Sequence, residues 1–124
     1  MLLLGVGVVV AFLALALMSA LDSPHRVSRV TIDNPHEWAA TVEVAAVGED
    51  DWLGLGTVGR QARQEFEGVL DQGRQWRFRF WYAGTQGGEL TISRSELDDR
   101  GWTLTVPDSF PERMRAAGLA PTGG

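Results

Sequence analysis

Apolar and polar positions along this chain fall into two regimes. From Leu2 to Leu21 no residue carries a charge, and most are Leu, Val or Ala. A helix of twenty such residues is about 30 Å long, the thickness of a bilayer's hydrocarbon core. The pattern predicts a transmembrane helix within residues 1–21. A cleaved signal peptide is the rival, but its apolar region is usually about 7–15 residues long and follows basic residues. Here no basic residue precedes Leu2, and Met18-Ser19-Ala20 places Met where a cleavage site needs a small side chain. An uncleaved anchor is therefore expected, with the lipid bilayer as partner of residues 2–21.

Residues 22–26, with Ser23-Pro24, read as a short linker. Beyond them the period becomes two, the signature of strands with one buried face. Val27 to Ile32 is β-branched and ends at the turn cluster 33-DNPH-36. Trp38, Ala40, Val42, Val44 and Ala46 form one apolar face, and Thr41 and Glu43 lie on the other. After the acidic loop 48-GEDD-51 comes Trp52 to Val58, with Gly54 and Gly56 marking a bulge or a close neighbour. Further strands are expected over Arg63–Leu70, Gln75–Ala83, Glu89–Ser93 and Trp102–Val106.

Seven short strands separated by Gly- and Asp-rich turns predict an immunoglobulin-like antiparallel β-sandwich over 27–106. A meandering sandwich or small barrel is the alternative topology. The stretch 93-SRSELDDRGW-102 reads as a hairpin turn or as a helical turn capped by Ser95. In 107–124, Ser109 and Glu112 have the spacing of a capping box, and Gly118 is placed as a stop. A short C-terminal helix over Phe110–Ala117 follows.

The segment 74-RQWRFRFWYAG-84 interleaves Arg74, Arg77 and Arg79 with five aromatic side chains. As a strand it sends Trp76, Phe78, Phe80 and Tyr82 inward and Arg77, Arg79 and Trp81 outward. If 71-DQG-73 closes a three-residue hairpin, Leu70 pairs with Arg74, and Glu67 and Glu65 face Arg77 and Arg79. The next hairpin, through 84-GTQGG-88, would match Tyr82 with Leu90 and Phe80 with Ile92. Trp81 is left as an aromatic on an outer face with no neighbour assigned. Arg77, Arg79 and Trp81 are the candidate partner contact.

Charge and composition narrow the function classes. The net charge of −5 falls entirely on residues 22–124, which argues against nucleic acid as a partner, because phosphate binding needs a basic face. All eleven cations are Arg, and there is no cysteine for a disulfide or thiolate metal site. His36 lacks the second histidine that a helical zinc site requires, and with His25 it reads as a surface turn residue. Asp50-Asp51 and Asp98-Asp99 lack the alternating spacing of a calcium loop. No acid, base and nucleophile fall together, so no catalysis, no metal and no cofactor are expected.

The single N-terminal span, the lysine-free strand-rich domain and the tail 102-WTLTVPDSFPERMRAAGLAP-121 together resemble small uncharacterised single-span membrane proteins of actinobacteria. The resemblance implies a cell-envelope location and carries no activity or site residue with it.

Arg26 and Arg29 just after the span favour a cytoplasmic domain on a positive-inside count. A few basic residues ahead of Leu2 would reverse that count, and the expectation adopted is an extracytoplasmic domain. The function expected is a membrane-anchored binding or accessory module of the bacterial cell envelope, with a membrane or envelope protein as partner. The alternative is a domain handling a lipid or small apolar ligand, lined by the inward aromatics.

Overall fold

The computed structural model describes residues 25–121. The helix expected within residues 1–21 and the last three residues lie outside the described residues. Seven strands and two short helices follow in the order β1 (Arg26–Asn34), β2 (Ala40–Ala46), β3 (Leu53–Val58), β4 (Ala62–Leu70), β5 (Gln75–Tyr82), β6 (Thr85–Ser93), α1 (Arg94–Asp99), β7 (Thr103–Thr105) and α2 (Ser109–Ala116).

The strands form two sheets in a sandwich-like arrangement. One has the order β4-β1-β7, with β1 antiparallel to β4 and parallel to β7. The other has the order β3-β2-β5-β6, antiparallel throughout. Between them lies one apolar cluster. Val30 and Ile32 come from the first sheet, Val42, Val44, Trp76, Phe78 and Phe80 from the second, and all seven are fully buried. Period-two alternation produces this directly, since every second residue of β2 and β5 points between the sheets.

The expected β4–β5 hairpin does not form. β4 pairs with β1, opposing Phe66 to Val30, while β5 pairs with β2 and β6 in the other sheet. Residues 71–74 therefore cross between sheets. Asp71 N–H donates to His25 O, and Trp76 Nε1 donates to Gly73 O at 3.0 Å. Leu70 lies opposite Arg26, not Arg74.

The β5–β6 hairpin does form, in a different register from the one expected. Ala83 and Gly84 both have positive φ, 49° and 76°, as a two-residue type I′ turn requires. Thr85 to Gly88 thereby join the strand. Phe78 meets Leu90 and Trp76 meets Ile92, replacing the expected Tyr82–Leu90 and Phe80–Ile92 pairs. The register shifts after Phe80, where Gly87 is the extra residue of a bulge.

That bulge seats the C-terminal helix. Phe110 of α2 lies so close to Gly87 that a Cβ there would be 2.0 Å from its ring. The expected capping box is absent: Asp108 precedes the helix without a side-chain cap, and Ser109 Oγ donates to Gly87 O at 3.2 Å. Ser109 fastens α2 to β6 and does not cap it. In the ambiguous 93–102 stretch, the helical alternative is the one that forms. Its cap is Ser93 rather than Ser95, accepting from Glu96 N–H at 3.1 Å, and Leu97 is buried.

At the other turn cluster, Asn34 is buried and its amide donates to Trp38 O at 2.7 Å and Gly59 O at 3.1 Å. Its Oδ1 accepts from His36 N–H. His36 is half-buried, not a free surface turn: Nε2 lies 2.9 Å from Val106 O, and the ring faces Phe110.

Candidate functional site

On the outer face of the four-stranded sheet, the odd residues of β5 lie between those of β2 and β6. Arg79 stands opposite Glu43 on one side and Glu89 on the other. Its guanidinium takes Glu43 in a fork, Nε to Oε1 at 3.0 Å and Nη2 to Oε2 at 3.4 Å. Arg77 reaches diagonally to Glu89, Nε to Oε1 at 2.7 Å, and also donates to Glu49 O. Both arginines have the carboxylate that alternation demands, but not the expected ones. Glu65 instead pairs with Arg29 across β1–β4.

Trp52, just before β3, lies over these two side chains. The Arg79 guanidinium is 3.9 Å from its ring centroid and that of Arg77 is 4.7 Å away. Trp81 flanks Arg79 at 5.1 Å. Arg79 thus has indoles within cation–π range on two sides and a carboxylate at its edge. Such stacks are worth about 0.5–2 kcal/mol each, more as water is excluded. The Arg77 and Arg79 side chains are 24% and 23% exposed, so they are partly covered, ion-paired groups and not a row of free cations.

The structure brings Arg77, Arg79 and Trp81 together on one face, and adds Trp52, Glu43 and Glu89. Nothing in the order of residues placed Trp52 there. Its arrival depends on how the β2–β3 loop folds back onto the sheet, and the only sequence signal was a Trp at the edge of an acidic turn. Trp81 is half-buried, and its Nε1 is buried without a hydrogen-bond partner among the described residues. A buried donor left unpaired costs about 1–3 kcal/mol. A phenylalanine would avoid that cost.

The other chemistry is sparse. Asp33 and Arg63 form a forked ion pair, with both contacts at 2.8 Å. The hydrogen bonds from Arg63 hold the Asp33 carboxyl below its ordinary value, against a weaker opposing effect of burial, and they raise Arg63 in turn. This pair borders an open cavity of about 460 Å³ that Gln61 and Thr105 also line. A second groove of about 320 Å³ runs between β3 and β4, lined by Leu53, Leu55, Phe66 and Val69. The inward aromatics Trp76, Phe78 and Phe80 line neither cavity; they are packed in the core. Among the described residues no three His, Asp or Glu side chains come together to hold a metal.

Compared with family models, curated proteins and solved structures, the chain matches none of them.

Proposed function

We propose that this protein is a membrane-anchored module of the bacterial cell envelope that works by binding another envelope or membrane protein, without catalysis. In this reading residues 2–21 are the anchor, the domain is extracytoplasmic and immunoglobulin-like, and the outer face of the four-stranded sheet makes the contact through Arg77, Arg79 and Trp81, with Trp52.

The observation that carries the reading is the composition of that face. Two indoles and two stacked guanidiniums occupy the middle of an outer sheet surface, and aromatic residues and Arg are the types enriched at protein interfaces. The twenty uncharged residues at the start support the anchor. Among the described residues no helix is long and apolar enough to cross a membrane, so the anchor rests on the sequence of the preceding segment.

The test places a photo-crosslinking residue at Thr41, which is exposed and lies opposite Trp81 in the β2–β5 ladder. In intact membranes a discrete adduct is expected from this site. Trp81→Ala should remove it, and Glu67→Ala, on the other sheet, should leave it. Absence of any adduct from Thr41 means that this face is not the contact, and an adduct that persists unchanged in a folded Trp81→Ala variant means that Trp81 does not make it.

A further inference from the structure

The exposed large apolar side chains of the described domain are Val47, 49% exposed, and Leu53, 38% exposed. They flank the β2–β3 loop, and both belong to the end of the sandwich where the described chain begins. Leu53 and Arg26 line the same groove between β3 and β4. Val47 N–H bonds to Gln75 O, beside the 71–74 crossing, and that crossing holds His25 through the Asp71 N–H. The opposite end, about 25 Å away along the strands, carries the 59–61 and 83–84 turns and none of these exposed apolar side chains.

What precedes His25 determines what this end can meet. Only Asp22, Ser23 and Pro24 separate it from the uncharged run ending at Leu21, and a chain this short reaches about 14 Å at full extension. We infer that the Val47–Leu53 end of the sandwich rests on the lipid surface, with Val47 and Leu53 dipping into the headgroup region. This inference rests on the reading of residues 2–21 as an anchor. Two apolar side chains add a weak contact, sufficient to orient a domain that is already tethered but not to recruit one from solution.

Charge sets the lipid preference. Arg26 and Arg74 at this end favour an anionic surface, whereas Glu49, Asp50 and Asp51 in the loop and the exposed Glu96 and Asp99 of α1, which follows β6 at the same end, oppose it, and Arg94 is neutralised by Asp71. The contact is therefore apolar and suited to zwitterionic headgroups. With the strands upright on the membrane, the sheet face bearing Arg79 and Trp81 points sideways, towards neighbours in the same bilayer.

The absence of cysteine makes the test direct. Single variants Val47→Cys, Leu53→Cys and Arg60→Cys of the full chain are labelled with an environment-sensitive fluorophore and reconstituted into phosphatidylcholine vesicles containing a headgroup-nitroxide lipid. Probes at 47 and 53 should be quenched at least twofold more than the probe at 60. Co-flotation with vesicles but equal quenching at all three sites would overturn the docking while leaving the anchor in place. Failure of the full chain to float with vesicles would overturn the anchor and the docking with it.

Discussion

Arg79 and Glu43 stand directly opposite each other across β2 and β5, and their side chains close a two-pronged ion pair at 3.0 and 3.4 Å. The indole of Trp52 lies over the Arg79 guanidinium, 3.9 Å from its ring centroid. Water is thereby displaced from a contact that would otherwise contribute little on a sheet surface.

Arg79 and Trp52 should accordingly be energetically coupled. In a double-mutant cycle of Trp52→Ala and Arg79→Met, read by urea denaturation, the coupling is expected to be about 1 kcal/mol. Arg79→Lys should recover only part of it, because an ammonium neither stacks nor forks onto Glu43. Strict additivity would mean that the stack contributes no stability.

Trp81→Phe removes the unpaired indole donor while keeping an aromatic ring. The lost area and the relieved donor oppose each other, so the change in stability should lie within about 1 kcal/mol of zero. Trp81→Ala should cost clearly more. A large loss with Phe would show that Nε1 has a partner in solution.

Gly87→Ala is expected to destabilise the domain by about 1–3 kcal/mol, because the added methyl meets the Phe110 ring and α2 must lift. Combined with Phe110→Ala, the same substitution should add little further. Denaturant midpoints of the single and double variants check this.

Asn34→Ala leaves the Trp38 and Gly59 carbonyls without the amide they accept from. A loss of about 2–3 kcal/mol is expected. Asn34→Asp should be worse at neutral pH, since a carboxylate cannot donate to those carbonyls. If alanine is tolerated without loss, water has replaced the amide.

The Asp33 carboxyl titrates below its ordinary value in the fold because Arg63 donates to its charged form. Its contribution to stability is therefore complete above about pH 4 and is lost as pH falls through the lowered value. Asp33→Asn should flatten the acid limb of a stability–pH profile below pH 4 and leave its shape between pH 6 and 8 unchanged. An unchanged acid limb would contradict the pairing.

By itself, the sequence determined which side chains face in and which face out. Trp76, Phe78 and Phe80 are buried, and Arg77 and Arg79 lie on the outer face beside carboxylates, because a strand's period of two holds whatever strand pairs with it. The number of strands was legible for the same local reason, whereas the C-terminal helix forms without the Ser109 capping box from which it was expected. Which strand lies beside which was decided only in three dimensions. Glu65 and Glu67 on β4 offer β5 the same alternating charge as Glu43 on β2 and Glu89 on β6, so complementarity could not select between them. The 71–74 segment crosses between the sheets because doing so lets β1 pair with β4 and β2 with β5 around one core. The position of Trp52 over the arginines depends on that choice, since it needs β2 and β5 side by side.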